Sequence, residues 1–382
     1  MYEPFPKNYA WNLSVNLALC MGGAIGEIEV ANARIRDAAA YSDDGGTEAF
    51  FVSWCDMAHG LVVLGEEDEA ADRRFSAAEK YGRALVYYMT AERMQSRHYA
   101  PRQQAYSTML ELTKRWIAIG GLDCERVEIP YGDTAFPGLF SKCAANPSAP
   151  CLVFCNGLDS CKEMIYRSGI AQELNRRGIA TLMIDHPGVG EALRLRGLTA
   201  IHDSERWAGA AIDFLERDGR VDPQRIGMIG WSLGGYYAPR AAAFEKRFKL
   251  CVAWGANHNW GELQLRRLAN EGDRPVPHYW DHVMWVWGKP NLEAFLEFVP
   301  RVSLVGVVQN ITVPFLITHG ARDRQIPIEY AYQCFDEATA SPKRELKIFT
   351  DREGGVEHCS ADNMEPARSY IADWIYETFA EM

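Results

Sequence analysis

The run Gly230-Trp231-Ser232-Leu233-Gly234-Gly235 follows the apolar stretch Arg225-Ile226-Gly227-Met228-Ile229 and precedes an alanine-rich stretch with helical character. A serine on a tight strand-to-helix turn is held in a strained backbone conformation, with its hydroxyl exposed above the turn. The neighbouring positions must then lack bulky side chains, which accounts for the flanking glycines. The helix that follows points its N-terminus at the turn and favours negative charge there. The pattern suits Ser232 as a nucleophile; the same glycines without that setting would mark only an ordinary turn.

A serine hydroxyl needs a base, and the base needs an acid to orient it. In the chain order Ser, acid, His, Thr318-His319-Gly320-Ala321-Arg322-Asp323 offers Asp323, and Gly354-Gly355-Val356-Glu357-His358-Cys359 offers His358. Asp351 and Glu357 are rival acids, read as solvated; His319 and His186 are rival bases, read as structural or pocket-shaping. A negatively charged tetrahedral intermediate needs two amide donors. Leu233 supplies one, after the nucleophile. Leu158, in Asn156-Gly157-Leu158-Asp159-Ser160, is chosen for the other. Ser160 and Glu163 have the spacing of a capping box that starts the next helix. Trp231, beside the nucleophile, is taken as a substrate contact.

These groups need a scaffold that brings distant segments to one edge. From the N-terminus to about Gly121 the pattern is helical, with stretches at Thr47–Leu64 and Ala70–Glu92 separated by an acidic turn, Gly65-Glu66-Glu67-Asp68. From about Cys124 strands and helices alternate. Glu125–Pro130 and Gly138–Lys142 read as an antiparallel entry ribbon around Tyr131-Gly132-Asp133. Buried strands read at Cys151–Cys155, Thr181–Asp185, Ile226–Ile229, Leu250–Trp254, Phe315–Thr318 and Glu345–Phe349. Helices read near Met164–Arg177, Ser204–Arg217, Gly234–Phe244, Glu329–Ala338 and Pro366–Phe379. Such alternation predicts an α/β protein with a mainly parallel sheet covered on both faces. Asp323 and His358 then both fall at C-terminal strand ends, where open α/β sheets bind ligands.

Residues 1–122 are therefore expected to form a helical lid or accessory domain, and residues 123–382 the catalytic domain. About sixty residues, roughly 258–311, lack a sheet pattern and are too many for a structureless loop. They predict a helical insertion capping the functional edge. It holds His258, Trp260, Glu262, Tyr279 and Trp280, all candidate substrate contacts; the simpler alternative is that its rings form a small aromatic core.

Lys and Arg number 40 against 51 Asp and Glu, a net charge of −11, which argues against a nucleic-acid or anionic-membrane surface. No segment has the length of a membrane span, and the N-terminus lacks a basic n-region, so a cytoplasmic location is expected. Ten cysteines lie scattered without a CxxC pair or a regular framework, as small buried hydrophobes would. Neither a metal nor an organic cofactor is expected, and a homodimer is a candidate assembly.

The motifs carry a more specific resemblance. YGDTAFPGLF, NGLDSCKE, IDHPGVGE, GWSLGGYYAPRAAA, CVAWGA, HGARDRQIP and EHCSADN together resemble the α/β-hydrolase group containing 2,6-dihydroxypseudooxynicotine hydrolase and the heptaketide-shortening hydrolases of fungal melanin pathways. The resemblance implies the α/β-hydrolase fold with an extra N-terminal helical domain, and a triad on Ser232, Asp323 and His358. It implies cleavage of a carbon–carbon bond next to a ketone on an aromatic or polyketide-like substrate. It also implies a further polar residue after the strand ending in Trp254, for which His258 and Glu262 are candidates. Asn156 stands where the group often has a second glycine, a departure that could alter substrate polarity. A carboxylesterase or lactonase with the same triad, an acyltransferase, and a non-catalytic binding protein are the alternatives; a fluorophosphonate that failed to label Ser232 would favour the last.

Overall fold

In the computed structural model, residues 1–40, 42, 44–143, 148–270 and 273–382 are described. They divide into two compact units, one formed by Met1–Cys124 with Asp273–His282, the other by Glu125–Gly272 with Val283–Met382. The first unit is helical: α1 (Tyr9–Cys20), α2 (Ile25–Ala33), α3 (Thr47–Ala70), α4 (Arg74–Arg93) and α5 (Pro101–Gly120). Pro101 starts α5, where its missing N–H costs nothing, and Gly121 ends it in the left-handed conformation at φ 62°. The core is aromatic. Trp11 meets Phe50 edge-on with centroids 4.9 Å apart, Phe50 stacks on Trp54 at 5.1 Å, and Trp54 meets Tyr87 at 5.6 Å.

The acidic run Gly65–Asp68 is not a turn. It lies inside α3, which continues to Ala70, and the chain reverses at Asp72 in a left-handed conformation, φ 57°. Gly65 marks a close approach: a Cβ there would sit 2.6 Å from the Tyr81 ring. The carboxylates are therefore near a helix C-terminus, the unfavourable end of the dipole. Cations offset this. Arg115 contacts Glu66 at 3.2 Å and Glu69 at 2.7 Å, and Asp68 pairs with Lys80 and with Arg73 at 3.2 Å.

The second unit is an α/β-hydrolase fold. Its elements run β1 (Cys124–Tyr131), β2 (Thr134–Ser141), β3 (Ala149–Cys155), α6 (Lys162–Arg167), α7 (Ile170–Arg176), β4 (Ala180–Ile184), α8 (Gly190–Arg194), α9 (Glu205–Asp218) and β5 (Val221–Trp231). There follow α10 (Gly234–Phe244), β6 (Cys251–Trp254), α11 (Trp260–Asn270), α12 (Tyr279–Val286, of which residues 279–282 belong to the first unit), α13 (Leu292–Phe298), β7 (Phe315–Gly320), α14 (Ile328–Glu337), β8 (Arg344–Phe349) and α15 (Met364–Ala380). The single helix expected over 164–177 is broken at Gly169, φ 85°, into α6 and α7, and the short α8 was not anticipated.

The sheet order is β1-β2-β4-β3-β5-β6-β7-β8, with β2 antiparallel to β4 and β3 to β8 parallel. Strands β3 to β7 are almost wholly buried and read as continuous apolar runs because helices cover both faces. The helix α9 shows why: Trp207, Ala208, Ala211, Ile212 and Leu215 recur at helical spacing and are all buried. The strand order reverses at β3, with β4 on one side and β5 on the other, and such a switch point opens a crevice beyond the strand ends. There the register pairs Cys155 with Gly230 and Trp231 with Trp254, so the loops after β3, β5 and β6 emerge side by side.

Candidate active site

Ser232 follows β5 with φ 57°, a conformation that costs a non-glycine residue energy and persists only when its surroundings impose it. The surroundings are backbone. A Cβ on Gly230 would lie 2.3 Å from the Gly234 carbonyl oxygen, and one on Gly235 would lie 2.0 Å from that of Gly255. The Ser232 N–H donates to the Trp254 carbonyl at 3.0 Å, which ties the turn to β6.

Three predicted residues come together on that turn. His358 Nε2 stands 2.8 Å from Ser232 Oγ, and its Nδ1 stands 2.9 and 3.1 Å from the two Asp323 oxygens. Asp323 Oδ1 also accepts from the N–H groups of Gln325 at 2.7 Å and Ile326 at 3.0 Å. Burial alone would raise the Asp323 pKa, but His358 beside it holds it below the usual carboxylate value. Burial alone would lower the His358 pKa; the Asp323 carboxylate outweighs it and holds the imidazole well above its ordinary range.

The loop carrying His358 is pinned by Asp362, whose carboxylate accepts from Glu357 N at 2.8 Å, Gly355 N at 3.1 Å and Val356 N at 3.2 Å. Sequence reasoning did not single out Asp362; its only signal was an acidic residue four positions after the histidine. Of the rival acids, Asp351 is exposed and pairs with Arg322. Glu357 is not solvated as expected, being nearly buried and 3.4 Å from Arg324. His319 Nε2 lies 3.0 Å from the Ile326 carbonyl and braces the same loop. His186 stacks on Trp207 with centroids 4.4 Å apart, and burial pushes its pKa down to about 4.

The loop after β3 presses against Ser232. A Cβ on Gly157 would fall 2.9 Å from Ser232 Cβ and 3.3 Å from its Oγ, so only glycine fits. Leu158 follows, buried, and Leu233 heads α10. The capping box is absent: α6 is preceded by Cys161 with no side-chain cap. Ser160 Oγ instead contacts Asn156 Oδ1 at 2.7 Å, Gly157 N at 3.0 Å and Trp231 Nε1 at 3.3 Å, and Glu163 pairs with Lys162 at 2.8 Å. Nor does Asn156 face a substrate, since its side chain is fully buried and donates to the Ile184 carbonyl at 2.8 Å.

Behind that loop lies a buried ionic cluster that the sequence did not reveal. Lys162 Nζ, itself inaccessible, is 2.8 Å from Glu163, 3.0 Å from Asp185 and 3.1 Å from Glu191. Burial alone would raise the Glu191 pKa, but Lys162 and Arg126 pull it down to about 2. Removing one member of a buried cluster leaves the others uncompensated. Lys162→Met is expected to cost about 3–5 kcal/mol, measured as a lower urea midpoint at unchanged slope.

The candidate substrate residues are dispersed. Trp231 turns into the core, with ring centroids 5.5 Å from Phe154 and 5.9 Å from Trp254. Trp260 packs on Trp287 at 5.6 Å and Phe295 at 6.0 Å, and His258 is buried 3.3 Å from Glu337. All three are buried. Glu262 is partly exposed and bonds Asn259 at 3.1 Å and Tyr330 at 3.2 Å. Tyr279 and Trp280 belong to the helical unit, where they meet edge-on at 5.3 Å. Among the described residues the cysteines form no disulfide, and no cluster of His, Cys, Asp or Glu is arranged to hold a metal ion. Among the described residues no helix is long and apolar enough to cross a membrane.

The model of the prolyl oligopeptidase family matches residues 171–381, and that of the FrsA-like esterases matches residues 53–260. The chain is 25% identical over 351 residues to a 2,6-dihydropseudooxynicotine hydrolase of Paenarthrobacter nicotinovorans, covering 90% of each chain. It is 27% identical over 402 residues to a 20-hydroxy-prefusarin hydrolase of Gibberella moniliformis, covering 94% of this chain and 93% of the relative. The crystal structure of the 2,6-dihydroxy-pseudo-oxynicotine hydrolase superposes with a TM-score of 0.77 at 23% identity, covering 95% of both chains, and shares the fold.

Proposed function

Because the chain belongs to the prolyl oligopeptidase family and matches the FrsA-like esterases as well, we propose that it is a serine hydrolase in which Ser232 is the nucleophile, His358 the base and Asp323 the orienting acid. The observation that carries this reading is the continuous hydrogen-bond chain from Ser232 Oγ through His358 to the Asp323 carboxylate. Its reaction is the hydrolysis of a carbon–carbon bond next to a ketone in an aromatic or polyketide-like substrate. That preference is supported by the motif resemblance and by relatives named for a pseudooxynicotine and a prefusarin substrate.

Ser232 Oγ attacks the ketone carbon while His358 Nε2 takes its proton, and the charge that forms on the carbonyl oxygen is met by the Leu158 and Leu233 amides. The carbon–carbon bond then breaks, and its electron pair stays on the leaving carbon. That carbon must be stabilised as an enolate or phenolate and must receive a proton, for which the His358 imidazolium is the available donor. Water activated by the same imidazole releases the acyl group as a carboxylic acid. Of the insertion's polar residues, Glu262 keeps a partly exposed carboxylate and, with His258, is a candidate for a substrate contact.

Ester hydrolysis is the second reading, favoured by the FrsA-like match over residues 53–260. An aryl 1,3-diketone and a p-nitrophenyl ester offered separately distinguish the two. The carbon–carbon reading requires a carboxylic acid and a ketone in equal amounts from the diketone. Ester turnover with the diketone left intact would replace it by an esterase.

A further inference from the structure

The hydroxyl of Ser160 lies where the loop after β3 meets the nucleophile turn, and its hydrogen-bond directions can be deduced. The Asn156 Nδ2 group faces an acceptor on each side, the Ile184 carbonyl at 2.8 Å and Asp185 Oδ1 at 3.4 Å. Its carboxamide oxygen must therefore face Ser160, at 2.7 Å, and can only accept. The Ser160 proton is thus committed to Asn156. Both remaining lone pairs point elsewhere, one to the Gly157 N–H at 3.0 Å and one to the Trp231 indole N–H at 3.3 Å.

Those two donors belong to different segments, Gly157 to the loop after β3 and Trp231 to the end of β5. Gly157 immediately precedes Leu158, and Trp231 immediately precedes Ser232 and Leu233. One buried oxygen therefore links the backbone just before Leu158 to the side chain of the residue just before Ser232. Asn156 is anchored in turn by Asp185, whose carboxylate also accepts from Lys162 N at 2.7 Å, Lys162 Nζ at 3.0 Å and Glu191 N at 2.8 Å. The whole assembly is buried, so no water competes for these bonds.

We propose that Ser160, oriented by Asn156, is a positioning residue that sets the spacing between the two oxyanion donors, acting through Gly157 and Trp231 without touching the substrate. The proposal rests on the reading of Ser232 as nucleophile. Misplacing a reacting group by even a fraction of the loop spacing costs rate more than affinity, because the donors act on charge that exists only in the transition state.

A fluorophosphonate probe tests this without a known substrate, since its reaction with Ser232 develops charge on the phosphoryl oxygen. The wild-type protein must label and Ser232→Ala must not; a failure here overturns the nucleophile reading itself. In Ser160→Ala the maximal labelling rate should fall about tenfold to a hundredfold, with the half-saturating probe concentration unchanged. Its pH profile should keep the wild-type acid limb, because His358 and Asp323 are untouched, and Ser160→Thr should recover most of the rate. Asn156→Ala, which removes the acceptor that orients the hydroxyl, reads the same way should Ser160→Ala not fold. Wild-type labelling by either folded variant, or a loss confined to melting temperature, would reduce Ser160 to a structural residue and overturn the proposal.

Discussion

Ser232→Ala is expected to lower turnover by about a millionfold while leaving a folded protein. The size of the loss reflects the way a nucleophile and its base act as a unit: without Oγ there is no acyl intermediate, and His358 has nothing to activate. Folding should survive because the turn is imposed from outside. The backbone contacts at Gly230 and Gly235 and the bond from Ser232 N to Trp254 do not involve the side chain. Alanine keeps the strained φ of 57° at much the same cost as serine. Circular dichroism and a melting curve close to wild type, alongside absent turnover, would complete the result. A variant that kept the wild-type rate would remove the mechanism altogether.

Asp323→Asn is expected to cost about 10⁴-fold in kcat, and the structure says which way the amide should settle. Asp323 Oδ1 accepts two backbone N–H groups, from Gln325 and Ile326, so the oxygen of an asparagine would occupy that position. Its NH₂ would then face His358 Nδ1, where the carboxylate oxygen now sits at 2.9 Å. A donor in that place selects the tautomer with the proton on Nε2, and the lone pair facing Ser232 is lost.

The pH profile supplies a second readout. His358 must be neutral to act as a base, and its pKa is held above the ordinary imidazole value of 6.5 by Asp323. The acid limb of kcat/KM should therefore lie above 6.5 in the wild type and move to lower pH in Asp323→Asn. The stability contribution has matching signs. The histidine's share is complete below 6.5 and fades as pH rises through its raised folded value. The aspartate's share is complete above 3.8 and fades as pH falls through its depressed folded value. The pair thus stabilises the fold most between 3.8 and 6.5, whereas catalysis improves above that window.

What could be read from the sequence was whatever is local in the chain or tied to a strand end. The strand-to-helix setting of Ser232, the loop position of Asp323 and the glycine-loosened segment before His358 each depend on neighbouring residues, and the structure brings these three side chains together. Ser160 escaped because its spacing to Glu163 fits a helix cap equally well, and only the register of β3 against β5 reveals the Trp231 indole beside it. The Lys162 cluster escaped because its partners Asp185, just after β4, and Glu191, in α8, are brought to it only by the tertiary fold, a fact without periodicity. The acidic run at Gly65–Asp68 was misread because glycine signals a turn by composition, while here it answers to the ring of Tyr81. For the insertion's aromatic rings, density alone leaves substrate contact and a small aromatic core open, and Trp260 has the packing partners Trp287 and Phe295 that such a core requires.

The division of the chain bears on how the protein can be taken apart. Residues 273–282 lie far along the sequence yet complete the helical unit: His278 N donates to Asp44 at 2.7 Å, its ring meets Thr47 at 3.1 Å, and Asp281 pairs with Arg97 at 3.1 Å. A polypeptide ending at residue 124 would lack those neighbours, which lie in sequence between the two stretches of the second unit. The helical part is consequently not a severable leader. It is threaded through the same chain twice, and losing it would leave a wound in the piece that remains.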